Sequence, residues 1–316
     1  MDQTLPLEKP RHAEEVASGR RFEFGKNWAR FLAAHRIEHL GQADESLKTM
    51  LGLQSLAGKT FLDIGSGSGL FSLAARRLGA RVRSFDYDPH SVACAGELKR
   101  RYAEGDEGWV IEEGSVLDRE YLARLGRFDI VYSWGVLHHT GDMWTALANV
   151  VPLVKEGGTL FISIYNDQGA ASRRWEAIKR LYNRLPRGLR FLVLVPALLQ
   201  LWWTRWLKDL LRGRPLKSWR TYQRNRGMSP WPDCVDWVGG YPFEVAKPEQ
   251  IFRFYRDRGF TLREMTTQGG DLGCNEYLFA RSGAEPPLSG AATLAGSSGA
   301  AAGVRVGGQE NPASES

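Results

Sequence analysis

The hydrophobic positions of the chain follow two spacings. Short apolar runs are typical of buried strands, and apolar residues three or four positions apart are typical of amphipathic helices. Strands are predicted from Phe61 onward and at 81–86, 109–112, 128–133 and 158–164, and helices at 70–78, 89–102 and 143–153. Because strands and helices alternate, the pattern predicts βαβ units and a parallel sheet with helices on both faces.

After residue 165 the alternation ends. A helical insertion is predicted to about residue 226, and the density of Trp, Pro and Gly at 231–244 predicts a loop. One helix and two strands close the domain, at 247–258, 260–265 and 275–281. The predicted fold class is α/β: a Rossmann-like doubly wound sheet, mostly parallel with a C-terminal antiparallel strand, plus a helical insertion after the fifth strand.

Three segments are predicted along the chain of 316 residues. They are a flexible N-terminus at 1–21, one folded domain at 22–282, and a tail at 283–316 whose Ala, Gly, Ser and Pro content predicts disorder. Within the domain, 22–53 is helical and 168–228 is the insertion. The 22–53 segment either caps the turn after the first strand or packs on the sheet edge.

Acidic residues stand near the start of the chain, where a secretory signal needs an apolar segment. We therefore expect a cytoplasmic protein. The three cysteines are far apart and have no Cys-x-x-Cys spacing, so neither a disulfide framework nor a metal site is predicted.

The net charge of +6 is unevenly distributed. Residues 170–226 contain fifteen Lys and Arg and two acids, which makes the rest of the chain net acidic. Within them, the thirteen-residue apolar run 191–203 is too short to span a bilayer, which takes about 20 residues. As a helix, it would place Leu192, Val195, Leu199, Trp202, Trp203, Trp206 and Leu210 on one side.

Three interpretations of this basic, Trp-containing helix stay open. A basic helix with a Trp-rich apolar face is typical of the interface of an anionic membrane, so peripheral membrane contact through 187–226 is one. A lid packed on the core is the second. A nucleic-acid groove is the third, because the basic residues are interleaved with Trp and Tyr.

The turn after the first strand carries candidate binding chemistry. Glycines at 65, 67 and 69 follow Asp63, and Leu70 stands where a dinucleotide fingerprint needs its third glycine. Glycines permit close approach of a ligand, and the helix that begins there presents free N–H groups. Asp63, at the buried end of the strand, is placed to meet an ammonium group.

The next strand also ends in an acid. Asp86 lies twenty-one residues after Gly65, where an acid binds the ribose diol of a nucleoside. Tyr87 would lie against the adenine, and Asp88 precedes Pro89 and is predicted to cap a helix.

The fourth strand leads into Val136-Leu137-His138-His139-Thr140. Ligands of such sheets lie at the carboxyl ends of the strands, so Ser133 and Trp134 are predicted to face the cofactor. A histidine titrates near neutrality and can take a proton from a hydroxyl. His139 is our first candidate for that base and His138 the second, although either one can be structural.

Together, the Asp63–Gly69 turn, Asp86 and the 136–140 segment make the chain resemble the class I S-adenosylmethionine-dependent methyltransferases. Within that superfamily it is most similar to the group that contains the ubiquinone-biosynthesis O-methyltransferases. The resemblance implies S-adenosyl-L-methionine as cofactor, with Asp63 at its amino acid part and Asp86 at its ribose. Where the family often has an acid for the adenine, this chain has Ser115, so Ser115 and Val116 are the expected contacts and Asp118 is a possible helix cap.

The predicted reaction is O-methylation of a small phenolic, quinol-type or sugar hydroxyl. Tyr165, Trp237 and Tyr241 are the candidate acceptor residues, because aromatic rings suit a flat apolar molecule. Nearby Asp233, Asp236 and Glu244 either orient the acceptor, hold a weak magnesium ion or form a solvated turn. The alternatives are methylation of tRNA, rRNA or an amine, and a dinucleotide-dependent oxidoreductase. The sequence predicts no oligomeric state.

Overall fold

Seven strands form one sheet in the computed structural model of the protein. The structure describes residues 12–25, 28, 38–226, 230–269 and 273–283. The strands are β1 Thr60–Ile64, β2 Arg81–Asp86, β3 Trp109–Glu113, β4 Phe128–Trp134, β5 Val154–Tyr165, β6 Phe260–Thr266 and β7 Cys274–Arg281. Their order is β3-β2-β1-β4-β5-β7-β6.

The pairing confirms the predicted fold class. Strands β1 to β5 pair in parallel, and β7 runs antiparallel to both β5 and β6. Since β1 lies between β2 and β4, the chain reverses its direction of travel across the sheet there. The carboxyl ends of β1 and β4 therefore open the crevice in which ligands of this fold bind.

The helices of the described residues flank the sheet and form the insertion. They are α1 His12–Ala17, α2 Glu38–Leu51, α3 Leu70–Arg77, α4 Pro89–Tyr102, α5 Arg119–Leu125, α6 Met143–Val150, α7 Ala170–Arg184, α8 Phe191–Leu211, α9 Lys217–Arg226, α10 Pro230–Gly239 and α11 Pro248–Arg256. The sequence predicted the bounds of α4, where Asp88 accepts the N–H of His90 as the expected cap.

Alternating strand residues fill two cores, one on each face of the sheet. Leu62 and Ile64 of β1 lie in the core shared with α6 and α11, and Phe61 lies in the core shared with α2, α3 and α4. This is the period of two expected for strands that are buried on both faces.

The insertion builds a third core of its own. Trp175 and Tyr182 of α7 pack with Leu194 and Ala197 of α8 and with Val238 of α10. The insertion is therefore anchored to the residues that precede β6.

The predicted loop at 231–244 is wrong for its first half, because α10 covers Pro230–Gly239. Two prolines fall in its first turn, where the missing N–H costs nothing. Cys234 and Val238, one turn apart, are both buried. The Trp, Pro and Gly content of this segment predicted a loop, although Cys234 and Val238 have helical spacing.

The N-terminal predictions are partly wrong. Residues 12–17, expected to be flexible, form α1, and Phe22 lies outside any helix. Residues 1–11, most of 26–37 and the tail from 284 lie outside the described residues.

Candidate functional site

The turn between β1 and α3 has the backbone shape that its glycines predict. Gly65, Gly67 and Gly69 have φ of 72°, 55° and 79°, in the left-handed region that favours glycine. A Cβ on Gly65 would lie 2.3 Å from the side chain of Val136. The turn therefore packs directly against the segment after β4.

Asp63 is buried at the end of β1. Its Oδ2 accepts the Ser72 hydroxyl of α3 at 2.6 Å. Burial, together with the nearby Asp86 carboxylate, raises the pKa of this carboxyl to about 7 against the effect of the Ser72 hydrogen bond. A nearby cation would stabilise the ionised form of this buried carboxyl.

Asp86 reaches back from the end of β2 to the same turn. Its Oδ2 accepts the Gly67 N–H at 2.9 Å, and its Oδ1 accepts the Asp88 N–H at 2.9 Å. Burial raises the pKa of Asp86 to about 6 despite these two bonds. The structure thus brings the two predicted acids together around the glycines.

The residues predicted to contact the adenine follow the carboxyl ends of β2 and β3. Tyr87 is half-buried. The Ser115 hydroxyl accepts the Leu117 N–H at 3.2 Å, and Val116 is buried. Asp118 accepts the N–H of Glu120 and so caps α5, which confirms the cap alternative.

At the end of β4, Ser133 and Trp134 have separate partners. The Ser133 hydroxyl donates to the Ile64 carbonyl of β1 at 3.1 Å. The Trp134 indole donates to Glu276 of β7 at 2.7 Å. The indole therefore reaches over β5, the strand that lies between β4 and β7.

The two histidines lie in a short 3-10 helix, 137–139. The Nδ1 of His139 lies 2.5 Å from the Pro242 carbonyl oxygen. Because that oxygen only accepts, Nδ1 carries the proton and Nε2 carries a lone pair. Burial lowers the pKa of His139 to about 3, so it is neutral at pH 7.

His138 is fully buried, and burial lowers its pKa. The backbone of Ser163 on β5 is the hydrogen-bonding neighbour of its ring and acts on the pKa in the opposite direction, although the contact falls short of full hydrogen-bond geometry. Its ring centre lies 4.1 Å from that of Tyr165, which ends β5.

The three candidate acceptor residues all pack against the third core, but at different places. Tyr165 contacts Trp237 of α10, with 5.6 Å between ring centres. Tyr241 lies beyond α10, where the Arg180 guanidinium of α7 is 5.9 Å from its ring centre. Tyr165 and Trp237 therefore share a wall, and Tyr241 faces α7.

Residues 12–25 and Trp28 lie beside the site, and none of them was among the predicted site residues. Arg21 donates to the His139 carbonyl at 2.9 Å, and its guanidinium lies 4.9 Å from the Tyr87 ring centre. The ring of Phe24 is 5.0 Å from that of His139, and a Cβ on Gly67 would lie 3.0 Å from the Trp28 indole. The spacing of Phe24 and Trp28 was visible in the sequence, but nothing local indicated Arg21.

The acidic residues around α10 have structural partners. Glu244 accepts the N–H groups of Gly141 and Met143 at 3.1 and 3.0 Å and so caps α6, and Asp233 accepts the Tyr222 hydroxyl. Among the described residues, no three His, Cys, Asp or Glu side chains are arranged to hold a metal ion.

The doubly wound sheet with two acids around a glycine turn defines a nucleoside-binding α/β protein. A family model described as a methyltransferase domain matches residues 32–228, more than half of the chain. The chain belongs to this methyltransferase family. The class predicted from the sequence is thereby confirmed.

Curated relatives share part of the chain. A ubiquinone biosynthesis O-methyltransferase of Xanthomonas oryzae pv. oryzae is 36% identical over 170 residues, which are 52% of this chain and 61% of the relative. One of Methylobacterium sp. is 33% identical over 116 residues, which are 37% of this chain and 45% of the relative. The chain thus spans between 45% and 61% of the length of these two relatives.

The chain is also similar, at low identity, to solved structures. Magnesium protoporphyrin IX methyltransferase from Synechocystis PCC 6803, with bound SAH, is 16% identical with a TM-score of 0.47, over 81% of this chain and 94% of that one. An O-methyltransferase family protein from Burkholderia thailandensis is 16% identical with a TM-score of 0.48, over 87% of this chain and 68% of that one.

Proposed function

We propose that the chain is an S-adenosylmethionine-dependent methyltransferase that methylates a hydroxyl of a small, flat acceptor. The observation that carries the proposal is the pair of carboxyl groups, buried Asp63 and half-buried Asp86, beside the glycine turn of a methyltransferase-family chain. The methyl donor is S-adenosylmethionine, whose ammonium group matches the Asp63 carboxyl and whose ribose hydroxyls match Asp86.

The residues of the site fit this cofactor. Burial raises the pKa of both carboxyls, so each gains from a ligand that brings positive charge or hydroxyl donors. Tyr87 lies next to Asp86 and supplies an aromatic face for the adenine. The other cofactor contacts remain predictions; they are Ser115, Val116, Ser133 and Trp134.

The bound cofactor supplies a methyl group made electrophilic by the adjacent sulfonium. The chain has to hold the acceptor oxygen in line with that group, exclude water and take up the hydroxyl proton. His139 fits the last task, because its bond to Pro242 fixes the ring and leaves the Nε2 lone pair. An anionic acceptor oxygen nearby would raise the pKa of His139 from its low value.

The acceptor class follows from the walls of the site and the names of the relatives. Tyr165 and Trp237 present aromatic surface beside the histidines, which suits a phenolic or quinol-type ring better than a sugar. The relatives are called O-methyltransferases, which favours oxygen over an amine. Family membership favours methyl transfer over dinucleotide-dependent oxidation.

Helix α8 supports a reaction at a membrane surface. No helix of the described residues is long and apolar enough to cross a membrane. Leu192, Val195, Leu199, Trp203 and Leu210 are nevertheless all exposed along one face of α8. This apolar face of α8, flanked by exposed Arg187, Arg212 and Arg214, suits an anionic lipid interface that holds a lipophilic acceptor.

Transfer of labelled methyl from the cofactor into a fractionated cell extract tests the proposal. We expect label in the lipid or small-molecule pool. Label in RNA would favour the alternative RNA substrate, and label in no pool would contradict methyl transfer.

Calorimetry with S-adenosylhomocysteine tests the cofactor site. Asp86→Asn should weaken S-adenosylhomocysteine binding about tenfold or more, because the ribose hydroxyls lose a charged hydrogen-bond acceptor. Asp118→Asn, at the cap of α5, is the matched control and should bind normally. Unchanged affinity in Asp86→Asn would reject the ribose assignment.

A further inference from the structure

One buried side chain of the insertion takes no part in the chemistry above. Lys179 of α7 is 0% exposed. Its ammonium group donates to the Trp237 carbonyl and lies 4.5 Å from the Trp237 ring centre and 4.7 Å from that of Phe243. A lysine side chain is almost never fully buried unless its charge is paired.

The same group reaches the wall of the acceptor site. Lys179 Nζ lies 6.0 Å from the ring centre of Tyr165, and that ring contacts both His138 and His139. The positive charge of Lys179 lowers the pKa of both histidines. The insertion therefore places the amino group of Lys179 beside the Tyr165 ring, which contacts both histidines.

One other polar group beside the Tyr165 ring has unused hydrogen-bonding capacity. The Trp237 Nε1 is buried and has no partner among the described residues, and a buried donor without a partner calls for an explanation. The single N–H of neutral His138 is matched by the Ser163 backbone. An ammonium group has three donors, so the cluster is rich in donors.

We propose that Lys179 holds an anionic oxygen of the acceptor, a carboxylate or a phenolate, beside the rings of Tyr165 and Trp237. This inference rests on the proposed function and assigns the anionic acceptor class to the same site. A donor-rich cluster with aromatic walls is complementary to a flat anion, because the rings cover its apolar face while the donors pair its charge.

The groups that face Lys179 set how this subsite responds to pH. Burial lowers the pKa of Lys179 to about 7, and Asp236 and Cys274 act in the opposite direction. His138 and His139 are neutral at that pH because burial lowers their pKa, and Tyr165 stays protonated because burial raises its pKa. A bound anion favours the ammonium form and should raise the pKa of Lys179.

Binding of benzoate, para-nitrophenolate and neutral benzamide to the full chain saturated with S-adenosylhomocysteine tests the proposal. In protein labelled with ¹³C-lysine, the Cε resonance of Lys179 reports its titration, and Lys179→Met assigns it. We expect benzoate or nitrophenolate to raise the pKa of Lys179 and benzamide to leave it unchanged. A response to benzoate alone identifies a carboxylate, and a response to nitrophenolate alone identifies a phenolate.

Affinity gives the second measurement. Lys179→Met should weaken binding of the anion by about tenfold or more and leave benzamide binding unchanged. Arg173→Met, on the exposed side of α7, is the matched control. The same Met substitution should remove the loss of anion affinity that we expect in the wild type as pH rises above about 7.

The proposal fails if neither anion moves the Lys179 resonance, or if benzamide moves it equally. That failure leaves the proposed function standing when S-adenosylhomocysteine still binds and methyl transfer is still observed. Conversely, anion binding without any methyl transfer would reject the proposed function and keep the subsite.

Discussion

At the scale of single residues, the protonation of Asp63 controls cofactor binding. Its pKa is about 7 in the free protein because it is buried, and a bound ammonium group favours the carboxylate. Binding should therefore release protons near neutral pH, and the affinity for S-adenosylhomocysteine should fall as pH drops below about 7. Calorimetry in buffers of different ionisation enthalpy measures the proton release.

The variant Asp63→Asn provides the control for this linkage. It should bind S-adenosylhomocysteine more weakly and with a smaller dependence on pH in this range. If the wild-type affinity is the same at pH 5.5 and at pH 8, the carboxyl does not meet the ammonium group.

The second residue-scale prediction concerns His139. If it takes the hydroxyl proton, His139→Ala should lower kcat by about 10²–10⁴-fold, the usual contribution of a general base, with S-adenosylhomocysteine affinity unchanged. Labelled-methyl transfer to the acceptor pool identified in the extract measures this. His90→Ala, an exposed histidine of α4, is the control, and full turnover in both His139→Ala and His138→Ala would exclude a histidine base.

The sequence predicted those site residues whose role depends on local context. Asp63 and Asp86 end strands that flank a glycine turn, so their positions follow from chain-local pattern and the parallel sheet. Other contacts of the site come from distant parts of the chain. Arg21 contacts His139 and Glu276 contacts Trp134, and each pair is more than a hundred residues apart in the sequence. Lys179 comes from the insertion. No periodicity encodes such contacts, and in the sequence Lys179 is only one of the fifteen basic residues of 170–226.

At the scale of elements, helix α8 was predicted as amphipathic, and its exposed face differs from the prediction in two residues. Trp202 is buried and packs on Trp219 and Tyr222 of α9, and Trp206 is half-buried against Trp219. Trp203, the neighbour of Trp202, is exposed. The sequence places these two neighbours about 100° apart on a helix, and only the packing of α9 decides which of them faces inward.

The exposed face carries the element-scale prediction. Trp203→Glu should lower the fraction of protein that sediments with phosphatidylglycerol vesicles, because it places a negative charge in the apolar face of α8. The binding should also weaken at high salt, since the flanking arginines are screened. Met265→Glu, an exposed apolar site on β6, is the control, and equal sedimentation of both variants would reject the membrane contact.

At the scale of the whole molecule, three cores hold the chain together, and Lys179 lies beside the third. The unfolded chain keeps the lysine protonated to about pH 10, whereas burial lowers its folded-state pKa to about 7. Above that folded pKa the unfolded state binds more protons, so stability rises with pH. The slope approaches about 1.4 kcal/mol per pH unit.

This slope is the last prediction. Denaturant unfolding of the wild type between about pH 7 and about pH 8.5 should show stability rising with pH, and Lys179→Met should be more stable at pH 7 with a flatter profile, because a buried charge is replaced by an apolar group of similar length. At higher pH the raised pKa of the Cys234 and Cys274 thiols, each about 12, acts in the opposite direction. Arg173→Met should keep the wild-type slope. A Lys179→Met profile parallel to that of the wild type would mean that Lys179 stays protonated in the folded protein across this range, and would contradict the lowered pKa.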